Sequence, residues 1–231
     1  MKKQLSKHLY ILLLFSLLLI TAGCNALLSK QPLQKTYYSL ERIQTKSSEE
    51  SAPSSFLKMP TLMVGLPKAN AGFNTRRMIY TQAPLQLEYF AKNEWIDTPA
   101  HMLQPLLISA MEKTGRFKAV LPKHSSGKND IRLESEIVQL IQIFNSNASD
   151  RKPNTGKTSQ VQFTLRVTLF DNSTNAVIAH REFDELTNAK SDDPRGGVLA
   201  ANQAVNTALE KVSKFTQEAV IAWQTHIENP D

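Results

Sequence analysis

Few side chains in this sequence are placed to do chemistry. Cys24 is the only cysteine in 231 residues, and it stands directly after Thr21-Ala22-Gly23, where a run of leucines stops. A single thiol excludes an internal disulfide, so redox compartment cannot be read from cysteine pairing. Gly156-Lys157-Thr158 invites a phosphate-loop reading, but that pattern needs a glycine five residues before the second one. The position holds Arg151, and a polar loop stands where a strand is required, so the segment reads as a basic hairpin loop. Arg195-Gly196-Gly197 is one isolated triplet and reads as a loop before a helix. His101, His124, His180 and His226 lack paired metal-ligand spacing, and His180 alternates outward from a strand. Asp192-Asp193, beside Pro194, reads as negative charge at a helix start. Asn147-Ala148-Ser149 and Asn172-Ser173-Thr174 match glycosylation acceptors by chance composition. Ser109 and Ser135 have no nucleophile elbow around them. No catalytic, metal-binding or cofactor-binding residues are assigned.

The setting of Cys24 is more specific. Lys2, Lys3 and Lys7 form a positive start without an acid, and Leu9 to Ile20 is an apolar run of twelve residues. A helix of that length covers about 18 Å, against a hydrocarbon core about 30 Å thick. It is too short to span unaided and has the length of a signal-peptide core. With the small residues that follow, it resembles the lipobox of bacterial lipoproteins. There the cysteine receives a diacylglycerol, the leader is cut before it, and the new N-terminus is acylated. The expected organisation is then a signal peptide over residues 1–23 and a lipidated tether over 24–35, with no other cofactor. Two or more acyl chains give stable membrane attachment. In such lipoproteins an aspartate after the cysteine retains the protein at the inner membrane. Asn25 stands there instead, implying the periplasmic face of the outer membrane of a Gram-negative bacterium. The eleven tether residues 25–35 reach at most about 36 Å.

The formal charge of +6 is inflated by the leader. Removing Lys2, Lys3 and Lys7 leaves 24 basic against 21 acidic side chains, a net of +3. That balance gives no reason to expect nucleic acid as a partner. An apolar fraction of 41% suits a globular body and excludes a multi-span membrane protein.

The elements that must build this body read as follows. TYYSLERI (36–43) is a first strand, with Tyr38 and Leu40 on one face. SSEESAPSS (47–55) is a polar loop, and TLMVGL (61–66) a short buried strand. RMIYTQ (77–82) and LQLEYF (85–90) flank the turn Ala83-Pro84, with Leu85, Leu87 and Tyr89 predicted to alternate inward. Thr98-Pro99 is a helix N-cap and first position, for a helix to about Thr114 that stops at Gly115. Pro105 either kinks it or marks its true start. IRLESEIVQLIQIF (131–144) changes the parity of its apolar residues partway, which predicts a bulge. SQVQFTLRVTLF (159–170) alternates throughout, DNSTN (171–175) turns, and AVIAHREFDEL (176–186) returns as its hairpin partner. Residues from about Gly197 to His226 carry an apolar stripe through Val198, Ala201, Val205, Ala208, Val212, Phe215, Ala219 and Ala222. This order predicts an α+β fold: a mainly antiparallel sheet with a central helix and a long C-terminal helix packed on one face.

The lipobox, Tyr37-Tyr38-Ser39-Leu40, RRMIY (76–80), LEYFAKNEWIDTP (87–99) leading into a helix, the paired strands, and the alanine-rich last helix together resemble the ABC-type transport auxiliary lipoprotein component family. That family includes the paraquat-inducible protein C group. The similarity covers most of residues 36–225 and implies a single such domain over 36–231. It further implies a non-catalytic adaptor in intermembrane lipid transport, with an MCE-domain protein and an ABC transporter or other inner-membrane component as partners. A homo-oligomer is compatible with the sequence. Tyr89 and Trp95 are candidate partner contacts because aromatic side chains are enriched at interfaces; the other reading of both is that they close a core. A stand-alone structural or assembly lipoprotein of the envelope is the alternative function.

Overall fold

The computed structural model describes residues 34–42, 59–123, 125, 127–144 and 159–228. Contacts divide the chain into Met1–Lys35 and Thr36–Asp231, and the second unit is described here. Cys24, the leader, most of the tether, the 47–55 loop and Gly156-Lys157-Thr158 lie outside the described residues.

The fold is α+β, as the element order predicts. Its strands are β1 (Thr36–Tyr38), β2 (Thr61–Val64), β3 (Lys68–Ala69), β4 (Arg77–Thr81), β5 (Glu88–Trp95), β6 (Ala119–Pro122), β7 (Ile131–Ile143), β8 (Gln160–Asp171) and β9 (Val177–Asn188). Its described helices are α1 (Pro99–Glu112) and α2 (Pro194–Glu228).

β7 is the axis of the sheet. One edge pairs with β8 in antiparallel register along almost its whole length, and β8 pairs with β9 in the same sense. Against the other edge β2, β3 and β4 lie end to end, each parallel to β7. β6 extends the sheet beyond β2; β5 and then β1 extend it beyond β4. The long pairings are thus antiparallel and the short ones, β4 with β5 apart, parallel.

The parity change in β7 is a bulge: Ile137 faces Leu165, but Gln139 faces Thr164, leaving Val138 unmatched. Ile131, Leu133, Ile137 and Leu140 stay buried across it. On β8, Val161, Phe163, Leu165, Val167 and Leu169 are buried, as their alternation requires. α2 covers this face with Val198, Ala201, Val205, Ala208, Val212 and Phe215. Full burial of each valine, leucine or phenylalanine here contributes about 1.5–3 kcal/mol. The stripe departs from the predicted one at its end: Ala222 is exposed, and Val220 and Trp223 take over the packing. A straight helix drifts relative to a seven-residue repeat, so a fixed 3/4 stripe cannot face one flat sheet for eight turns.

α1 is capped as its sequence indicates. Thr98 Oγ1 accepts a hydrogen bond from His101 N at 3.4 Å, and Pro99 is the first helical residue. Pro105 lies inside the helix and does not start it. Gly115 takes φ +61° just beyond the end, as a helix-terminating glycine does.

Four readings are corrected. β5 begins at Glu88, not Leu85, and runs on through Trp95. Leu85 is fully exposed with φ 67°, and Leu87 and Tyr89 are about half exposed, so that face points to solvent. β3 and β6 are strands too short to show a period. α2 begins at Pro194 rather than at about Gly197, so Gly196 and Gly197 both lie in its first turn.

Those two glycines have a steric reason. A Cβ on Gly197 would stand 2.0 Å from Gln142 Oε1, and one on Gly196 would stand 2.2 Å from Ser191 O. The start of α2 is pressed onto the end of β7. Gln142, itself buried, donates from Nε2 to Ser159 Oγ (2.8 Å) and to the Asp193 carbonyl (3.2 Å), tying the two together.

Candidate functional site

Most of the described side chains with possible chemistry are held in structural hydrogen bonds. Asp193 accepts from Gly196 N at 2.7 Å, its carbonyl accepts from Gly197 N at 3.0 Å, and the first of these holds its carboxyl below the usual range. Asp192 accepts from Ser159 N. Asp193 is therefore helix-start charge, as the sequence indicated, whereas Asp192 bonds the residue that precedes β8. Asp171 accepts from Ser173 Oγ (2.6 Å), Ser173 N (2.7 Å), Thr174 N (3.2 Å) and Trp223 Nε1 (3.2 Å), which closes the β8–β9 turn and lowers its pKa. His101 lies 3.3 Å from Asp97, whose carboxyl is lowered chiefly by the bond from Thr98 N. His180 pairs with Thr168 Oγ1 at 2.8 Å on the exposed face. Ser109 accepts from Arg42 at 2.6 Å, and Ser135 is buried within β7. Among the described residues, no group of three His, Cys, Asp or Glu side chains is placed to hold a metal ion.

The sheet face opposite α2 is polar. Arg166 reaches Glu136 on β7 (2.7 Å) and Glu182 on β9 (2.9 Å), and Thr164 donates to Asp184 at 2.5 Å. Hydrogen bonding to Glu182 raises the Arg166 pKa further, so the charge is permanent. These cross-strand pairs lock register in a face that no described helix covers.

The unusual surface is the β1–β5–β4 corner. Trp95 is 4% exposed and lies in the core, which selects the core-closing reading of the two left open for it and removes it as an exposed partner contact. Tyr89 is exposed, with the Arg77 guanidinium 4.8 Å above its ring; Tyr37 and Arg76 repeat the arrangement at 5.5 Å. Next to Tyr89, the turn Ala83-Pro84-Leu85-Gln86 closes through Gln86 N to Ala83 O at 3.3 Å. Proline followed by a positive φ is the pattern of a type II turn, whose third position favours glycine or asparagine. Leucine there carries backbone strain of about 1–3 kcal/mol. The turn borders an open groove of about 370 Å³ whose walls include Leu87, Ile141, Ile143 and Phe144. Behind it Tyr80, Phe90 and Phe144 form an aromatic cluster with centroids 4.5–6.3 Å apart. The corner thus exposes Leu85, Leu87 and Tyr89 beside an open, partly apolar groove.

Sequence reasoning missed two parts of this arrangement. Leu85 and Leu87 fitted a strand alternation, and only Pro84 signalled a turn. The second is the seat of β1: Asn202 accepts from Glu41 N (2.6 Å) and donates to Ser39 O (3.2 Å), and Asn206 donates to Glu41 O (2.9 Å). Asparagines facing the stripe of a long helix were the available sign.

The family model for the ABC-type transport auxiliary lipoprotein component matches residues 38–213. No curated protein matches the chain. Among solved structures, the protein XCC0632 from Xanthomonas campestris, of family DUF330, is 17% identical; the match covers 82% of this chain and 99% of that one, with a TM-score of 0.68. A second crystal structure, of an uncharacterized protein, is 12% identical over 79% of this chain and 99% of that one, with a TM-score of 0.56. At such identities the likeness establishes the fold.

Proposed function

The chain belongs to the ABC-type transport auxiliary lipoprotein component family, and on that premise we propose that it is a non-catalytic adaptor in intermembrane lipid transport. Acyl chains on Cys24 hold it at the periplasmic face of the outer membrane. There it meets an MCE-domain protein that bridges from an inner-membrane ABC transporter. The family match over the folded body carries this reading, together with Cys24 at the end of a leader-like apolar run. The fold supports it: a broad sheet with a polar outer face and an apolar corner offers surface for docking. Tyr89, held under Arg77 and exposed, is the aromatic contact proposed for the protein partner.

The test is crosslinking in intact envelopes, followed by purification and mass spectrometry. An MCE-domain protein should be recovered, and Tyr89→Ala should lower its yield. Recovery of no transport component, with retention on isolated peptidoglycan sacculi instead, would replace this reading with an envelope-assembly role.

A further inference from the structure

We propose that the turn at Leu85 is a second membrane attachment point: its exposed leucines enter the leaflet that holds the lipid anchor. This rests on the anchor reading of Cys24.

The direction of β1 carries the argument. β1 runs parallel to β5 with Thr36 opposite Asn93. The chain therefore enters the folded body from the Glu88 end of β5, where the 83–86 turn lies. Five residues separate Asn93 from Glu88, about 17 Å along a strand. The eleven residues before Thr36 span at most about 36 Å, which bounds the separation of the acylated residue from the start of β1. Val177, at the opposite end of the long strands, opens β9 after the β8–β9 turn.

The composition of the tip fits lipid. Met78 to Leu87 contains no charged side chain, and the first charge beyond it, Glu88, accepts from the Tyr80 hydroxyl at 2.8 Å, so insertion of the turn itself removes no ion from water. Leu85 is fully exposed and Leu87 half exposed, beside Phe144, which is tied to this end through its N–H to Thr81 O at 2.8 Å. Part of the turn's backbone is paired within the turn. Thr81 Oγ1 donates to Ala83 O at 2.6 Å, and Gln86 N bonds the same carbonyl, which lowers the cost of leaving water. The proline turn keeps a leucine, rather than a glycine, at the outermost position.

Acylation consumes the only native thiol, so an introduced cysteine can be labelled alone. Leu85→Cys and Val177→Cys proteins, full length and lipidated, would carry an environment-sensitive NBD label in phosphatidylethanolamine–phosphatidylglycerol vesicles. At position 85, emission should shift to the blue, rise at least about twofold, and be quenched by spin-labelled lipid, as for a group at the headgroup–acyl boundary. At position 177 it should stay accessible to aqueous iodide. Iodide quenching at 85 equal to that at 177, on vesicles that float with the protein, overturns the insertion. Burial at 85 only after a protein partner is added assigns the tip to that partner and overturns it likewise. Labelling of the unsubstituted protein reports a free Cys24 and refutes the anchor reading itself.

Discussion

Gly197→Ala tests the packing that joins the last helix to the central strand. In an ordinary helix interior, glycine to alanine stabilises by about 1 kcal/mol. Here the new methyl carbon would stand 2.0 Å from Gln142 Oε1 and 2.6 Å from its Cδ. Gln142 is 4% exposed and held by hydrogen bonds of 2.8 and 3.2 Å, so it cannot swing away freely. Overpacking of this kind costs about 1–3 kcal/mol, and losing two buried hydrogen bonds costs about 1 kcal/mol each. Against the helix-propensity gain, the net is a destabilisation of about 2–4 kcal/mol. For a body of this size that is a fall in Tm of roughly 4–16 °C. Urea unfolding of the lipidated protein in detergent, followed by circular dichroism, measures it. Adding Gln142→Ala should recover part of the loss, because the obstacle is then gone. A single Gly197→Ala variant as stable as the parent, or more so, would refute the reasoning.

Trp95→Ala should cost about 3–5 kcal/mol as a core cavity, whereas Tyr89→Ala should cost under about 1 kcal/mol and act on partner capture; thermal melts of both separate core from surface. Asp171→Asn should loosen both the β8–β9 turn and the end of α2, lowering stability by about 1–3 kcal/mol, readable in urea and as faster amide exchange at Trp223. Asp97, Asp171 and Asp193 all have carboxyl groups lowered in the folded state. Their contribution is therefore complete above the unfolded value of about 3.9 and is lost as pH falls through the lower folded values; the unfolding midpoint should drop in that acid window. Cys24→Ala should block acylation and leader cleavage, leaving an inner-membrane precursor; palmitate entering the variant as it enters the parent would contradict this.

The parts of the fold that could be read from sequence are those governed by local period. The alternation of β8, the parity switch of β7 and the Thr98-Pro99 cap each depend on neighbours within a few residues, and each appears where it was expected. What could not be read depends on distant partners. Gly196 and Gly197 look like loop residues until Ser191 and Gln142 are in place against them. β2, β3 and β4 follow one another along β7, a parallel arrangement whose short strands have no period of their own. Leu85 and Leu87 satisfied the strand pattern locally, yet no core lies on that side, and Pro84 with a positive φ at Leu85 turns the segment outward. Trp95 is buried because β5 runs further than its polar residues Lys92, Asn93 and Glu94 suggested. The cysteine's place in the leader pattern, not the fold, led to the proposed lipid anchor at Cys24.

Mass spectrometry of the mature N-terminal peptide, purified from native membranes, tests the central claim most directly. The account predicts that the peptide begins at Cys24, bearing a diacylglycerol on sulfur and a fatty acid on the α-amine. A free thiol at Cys24 in a chain that still carries residues 1–23 would contradict it.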